Sequence, residues 1–199
     1  MSGRAGARFL VVLLLLSACA TAEPVVPAGG SWLDRPLVTW NRPGAVIPRA
    51  AAPTPEMEVN RERCRGGIRP PSTAADRALA EAGWWLHGPA RALGETSVVP
   101  AAANWDGMCR PWAFQVFVFT RDRYVGTLSP AIMNTRTDGA WQAVRVESPL
   151  HLTADFLRYT DADPLCCPSR LSEVAYRIDE ASGGPVLVPL NVLTRALPR

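Results

Sequence analysis

Lysine is absent: all 21 basic side chains of this 199-residue chain are arginine. Histidine is scarce, with His87 and His151 alone. Without lysine there is no S-x-x-K nucleophile motif and no P-loop, and G-x-S-x-G, H-E-x-x-H, C-x-x-C and G-x-G-x-x-G are missing too. These absences argue against the common hydrolase and nucleotide-binding classes, and no residue set nominates a catalytic centre, a metal or a cofactor. Arginine is always charged and pairs in a planar, bidentate way, but its exclusive use fits a GC-rich coding bias. A large charge of one sign is also lacking. The formal net charge is +3, and about +1 once Arg4 and Arg8 at the start are set aside, too weak for nucleic-acid binding.

No hydrophobic run is long enough to cross a bilayer. Phe9 to Leu16 is wholly apolar but short, and it follows Arg4 and Arg8, the layout of a secretory signal peptide over residues 1–18. It ends in Leu16-Ser17-Ala18-Cys19, which resembles the bacterial lipobox. The resemblance implies cleavage before Cys19 and acylation there, palmitate included. Several acyl chains at about 0.8 kcal/mol per buried methylene anchor a protein stably. Ala20 and Thr21 follow with no Asp, a pattern similar to Gram-negative lipoproteins sent to the outer membrane.

Residues 19–60 are expected to form a proline-rich tether. Pro24, Pro27, Pro36, Pro43, Pro48, Pro53 and Pro55 block helices and sheet ladders, and a flexible coil of this length reaches on the order of 35 Å. Trp32, Leu33, Leu37, Val38 and Trp40 are too apolar for a plain linker. They read either as a partner motif or as a segment docked on the domain, the second avoiding two exposed tryptophans. Arg61, Arg63, Arg65 and Arg69 alternate with Glu56, Glu58 and Glu62, which makes a solvated face.

Residues 61–199 read as an α+β domain: one short helix on an antiparallel sheet of about five or six strands. The helix spans Thr73 to Ala82, capped by Ser72 or Thr73 and ended by Gly83, with Ala75, Ala78, Leu79 and Ala82 on one stripe. Gly88 to Asp106 reads as irregular. Trp112 to Phe119 is apolar on both alternating faces, so it belongs mid-sheet, covered on both sides. Arg121-Asp122 turns it into Arg123 to Ser129. Trp141 to Glu147, Leu150 to Tyr159 and Ser172 to Asp179 alternate like half-buried strands, and Val186 to Leu193, broken by Pro189, suits a sheet edge.

Four cysteines remain. In an exported chain Cys64, Cys109, Cys166 and Cys167 are expected to form disulfides. Bonded neighbours close a strained small ring, so Cys166 and Cys167 are each expected to reach Cys64 or Cys109, in either combination. Trp84, Trp85, His87 and Trp105 are the candidate ligand-lining residues. His151 and Asp155 share a strand face, but about 13 Å of strand separates them, beyond hydrogen-bond reach. Asp161-Ala162-Asp163 lacks the further oxygens of a calcium loop and reads as a turn.

Phe117-Val118-Phe119, Arg123-Tyr124-Val125-Gly126-Thr127-Leu128-Ser129-Pro130 and Asp163-Pro164-Leu165-Cys166-Cys167-Pro168-Ser169, with the lipobox, resemble the LppP/LprE family of bacterial lipoproteins over residues 72 to 180. The resemblance implies a lipid-anchored cell-envelope protein with no established activity and no catalytic residue to transfer. The leading expectation is a non-catalytic binding or structural domain, held on a membrane by its N-terminal lipid, with an envelope protein, a cell-wall polymer or a small envelope ligand as partner. Two alternatives stay open: an envelope hydrolase with a cleft near His87, Trp84, Trp85 and Asp106, and a thiol-active protein using Cys166-Cys167.

Overall fold

The computed structural model describes residues 30–198. The leader, Cys19 and the first part of the expected tether lie outside them. Two short helices, α1 (Pro55–Arg63) and α2 (Ala74–Glu81), precede nine strands: β1 (Trp85–Leu86), β2 (Arg91–Leu93), β3 (Thr96–Trp105), β4 (Pro111–Thr120), β5 (Arg123–Thr127), β6 (Ala140–Ser148), β7 (His151–Arg158), β8 (Arg170–Ala181) and β9 (Gly184–Ala196). Among the described residues, no helix is long and apolar enough to cross a membrane.

The α+β class and the antiparallel pairing hold, but the single sheet divides into two. One sheet runs β1-β3-β4-β5, with β2 also on β3, and the other runs β6-β7-β8-β9. The alternating strands after residue 140 need cover for their packed face, and the first sheet supplies it. Val98, Val116, Val118 and Val125 from the first sheet share one core with Leu152, Phe156, Val174, Tyr176 and Leu187 from the second. Phe117 and Phe119, on the opposite face of β4, pack with Ala75 and Leu79 of α2. The two apolar faces of β4 are thus covered by a sheet and a helix respectively. Trp112 escapes this and is 40% exposed.

The stretch read as irregular, Gly88 to Asp106, contains β2 and β3. Alanines at 101 to 103 have little intrinsic strand preference, and a proline argues against a central strand. Pro100 is tolerated because the neighbour on that side changes there: β1 pairs Leu86 with Ala101, whereas β2 pairs Arg91 with Val98. Its missing N–H falls in the gap. The turn at Arg121-Asp122 has φ of 50° and 57°, the left-handed pair that two-residue hairpins use.

The tryptophan patch is docked. Leu33 is buried in the inter-sheet core, and the Trp32 ring stands edge-on to Phe156 at 5.2 Å and to Trp40 at 5.2 Å. Trp40 Nε1 donates to the Thr127 carbonyl (3.1 Å). Asn41 then ties the sheets together. Its Nδ2 donates to Thr127 O on β5 (3.1 Å) and Leu187 O on β9 (3.0 Å), while its Oδ1 accepts from Thr127 N (2.9 Å). Gly126 makes room: a Cβ there would lie 2.3 Å from Asn41 Cγ. Further along, Pro48 O accepts from Trp84 Nε1 (2.7 Å), and Ala50 N donates to Ala82 O (2.9 Å).

The crossed disulfide pairing is corrected. Cys64, the C-cap of α1, is bonded to Cys109 in the β3–β4 turn, with Cα atoms 5.2 Å apart. Helix α1 lies against β3, which brings these two together. Cys166 is joined to Cys167 in the β7–β8 loop.

Candidate functional site

His87 follows β1; its backbone N donates to Pro100 O (3.3 Å), and separately it forms an isolated antiparallel bridge with Ile68. Its ring stands edge-on to Phe114 at 6.1 Å. The position is braced from α2. Arg69 makes a bidentate pair with Asp76 (2.6 and 2.6 Å) and donates to Gly88 O (3.1 Å). Burial pushes the Asp76 carboxyl up, but hydrogen bonds from Arg69, Ser72 and Thr73 outweigh it and hold it well below the usual carboxylate range. His87 goes the other way: burial, then the Arg69 charge, lower it to about 4. At neutral pH its imidazole is uncharged.

His87 opens onto a cavity of about 230 Å³ between the two sheets. Val98 and Pro100 of β3 line one side, and Trp141, Ala143 and Val144 of β6 line the other, with Arg91 also contributing. The walls are mostly apolar. Two buried polar atoms on this lining have no hydrogen-bond partner among the described residues: His87 Nε2 and Trp141 Nε1. Leaving such an atom unpaired costs about 1–3 kcal/mol, so each invites a water or a ligand group. The cavity exceeds the roughly 150 Å³ that accommodates benzene in an engineered apolar void, so a molecule on the order of ten non-hydrogen atoms fits.

The arrangement offers two ring nitrogens to a bound molecule. No hydroxyl, thiol or carboxylate is hydrogen-bonded to the His87 ring among the described residues. Trp141 supplies a fixed donor, and the free His87 nitrogen donates or accepts according to tautomer.

The other sequence-selected residues sit elsewhere. Trp84 packs edge-on against Phe117 at 5.0 Å and borders a separate cavity of about 450 Å³ beside the Trp40–Arg49 segment. Trp85 stacks on Trp105 at 5.1 Å, with the Arg61 guanidinium 4.7 Å over its ring. Asp106 is bound by Arg110 Nε (2.6 Å) and caps the turn leading to Cys109. His151 meets Ser148 Oγ (3.1 Å), while Asp155 is held by Arg145 (2.9 Å), so the two do not form a dyad. Asp163 accepts from Thr160 N, Ser169 N and Ser169 Oγ and braces its loop. No group of three or more His, Cys, Asp or Glu side chains is placed to hold a metal ion among the described residues. Trp141 went unselected in the sequence. The one available signal was a buried-type aromatic whose N–H needs a partner.

Residues 93–181 match the model of a bacterial lipoprotein family, LppP/LprE. The match runs from the last residue of β2 to the last residue of β8, so it includes Trp141 and begins after His87. No curated protein and no solved structure matches the chain.

Proposed function

Taking the LppP/LprE lipoprotein match of residues 93–181 as the premise, we propose that this chain is a lipid-anchored envelope protein that acts by binding. Acyl chains on Cys19 hold it to a membrane, the outer membrane in a Gram-negative cell. Because Leu33 is buried in the domain, the spacing from the lipid is set by the steps from Cys19 to Leu33, at most about 50 Å. The domain therefore works close to the membrane surface.

The observation that carries the binding reading is the cavity with two unpartnered ring nitrogens. The ligand class is a small, uncharged, mainly apolar molecule with one hydroxyl or amide group, taken up between Val98, Pro100 and Val144 and oriented by Trp141 Nε1 and His87 Nε2. A hydrolase reading would need a nucleophile hydrogen-bonded to the His87 ring, and no such bond is present among the described residues. Calorimetric titration with phenol tests the proposal. Saturable binding that Trp141→Phe weakens at least about fivefold supports it, since that change keeps the ring and removes the donor. Undiminished binding to Trp141→Phe would sink it. Anchoring is tested separately: Cys19→Ala should carry no acyl mass and leave the membrane fraction.

A further inference from the structure

A further groove, of about 670 Å³, lies beside the β7–β8 loop and shares Gln142 and Ala143 of β6 with the His87 cavity. Its lining includes Cys166 beside Pro168, together with Arg110, Arg136, Arg195 and Tyr159. Arg110 is neutralised by Asp106, and the groove's one carboxylate, Asp155, is taken by Arg145. Arg136 and Arg195 make no ion pair among the described residues. The groove thus carries two uncompensated positive charges next to a disulfide.

That disulfide differs from its counterpart in accessibility. Cys64 is 3% exposed, whereas Cys166 and Cys167 both lie in the exposed class. The loop presenting them is braced. Asp163 ties Thr160 to Ser169, Tyr159 Oη donates to Leu165 O (3.3 Å), and Cys167 N donates to Pro164 O (2.9 Å). The sulfur ring is therefore held at the groove's lip.

We propose that Cys166–Cys167 is a thiol-exchange site whose substrates are small thiols bearing carboxylates, drawn in by Arg136 and Arg195. The thiolate attacks Cys166 Sγ, since Cys166 is the cysteine lining the groove. The Cys166–Cys167 bond breaks, its electron pair leaves on Cys167, which takes a proton from water, and a mixed disulfide joins the small thiol to Cys166. A second thiol then displaces Cys166. Two thiols are oxidised to one disulfide as the vicinal pair becomes two thiols. Positive charge at the groove raises the local concentration of anionic thiols and speeds their encounter. The exchange chemistry uses neither His87 nor Trp141, although Gln142 and Ala143 border both spaces.

The test uses the full-length protein in detergent, exposed to mercaptosuccinate or to uncharged 2-mercaptoethanol at equal thiolate concentration, quenched by alkylation and mapped by mass. Cys166 and Cys167 should be alkylated while Cys64 and Cys109 stay bridged. Mercaptosuccinate should react about tenfold faster in about 20 mM salt, with the advantage lost in about 1 M salt. The double variant Arg136→Gln/Arg195→Gln should lose the same advantage and keep its 2-mercaptoethanol rate. Three results overturn the proposal: Cys166 or Cys167 mapped to Cys64 or Cys109, the Cys64–Cys109 bridge opening first, or equal rates for the two thiols at low salt. Because the salt series needs no substitution, a variant that failed to fold would leave the outcome decided.

Discussion

Replacing Asn41 with alanine should release the N-terminal segment from both sheets. Asn41 is 8% exposed and makes three hydrogen bonds, two to β5 at Thr127 and one to β9 at Leu187. The truncation leaves the Thr127 N–H without its acceptor and removes the donor shared by two carbonyls. One orphaned buried donor costs about 1–3 kcal/mol, and the carbonyls add less because Thr127 O keeps Trp40 Nε1. The sum is about 3 kcal/mol, or a fall of about 6–12 °C in Tm for a chain of this size. Calorimetry measures it, and Gly126 supplies the control. In the native background Gly126→Ala drives a Cβ to 2.3 Å from Asn41 Cγ, at a φ of +147° that side chains avoid. In the Asn41→Ala background the clash is gone and only the backbone cost remains. The double variant should therefore be less destabilised than the sum of the singles by about 1 kcal/mol or more. A drop below about 2 °C for Asn41→Ala, or strict additivity with Gly126→Ala, would refute Asn41 as the inter-sheet tie.

Four further outcomes rest on other contacts. His87 has its folded pKa lowered to about 4, so its contribution is fully present above pH 6.5 and is lost as pH falls from 6.5 towards 4; His87→Phe should flatten the stability profile over that window. Asp76→Asn removes the charge facing Arg69 at a carboxylate that is 1% exposed, which should cost about 3 kcal/mol by urea unfolding. Native Asp76, whose folded pKa is depressed, should contribute above pH 3.8 and lose that contribution only in stronger acid. Opening Cys64–Cys109, with a sequence separation of 45, should cost about 4 kcal/mol in the chain-entropy account; the Cys64→Ser/Cys109→Ser variant measures it calorimetrically.

Local chemistry in the sequence carried several elements to the right place. Of the two expected caps of α2, Thr73 is the one used, in a reciprocal pair with Asp76, and Gly83 takes the left-handed conformation just past the helix end. The double apolar face of β4 correctly demanded cover on both sides. The alternation placed Leu152, Ala154 and Phe156 of β7 inside, but Leu150 is 47% exposed and Thr153, on the other face, is buried. What failed depended on partners distant in the chain. Strand β3 hid behind Pro100 and three alanines because its reason for being a strand is the β4 neighbour, paired from Thr96 to Trp105. The division into two sheets is a matter of which edges meet, and Asn41 marks that meeting 86 residues before Thr127. Cysteine pairing was misread for the same reason: only the packing of α1 on β3 brings Cys64 to Cys109. The cavity partner of His87, Trp141, lies across the sheet interface, so neither residue alone signals a site.

The most direct test of the binding account is the indole N–H resonance of Trp141 in a two-dimensional NMR titration with phenol. The account predicts a saturable downfield shift of the Trp141 signal as its Nε1 gains an acceptor, while the Trp84 indole, already donating to Pro48 O, stays in place. A Trp141 signal that does not move at saturating phenol, or a response confined to Trp84, would contradict it.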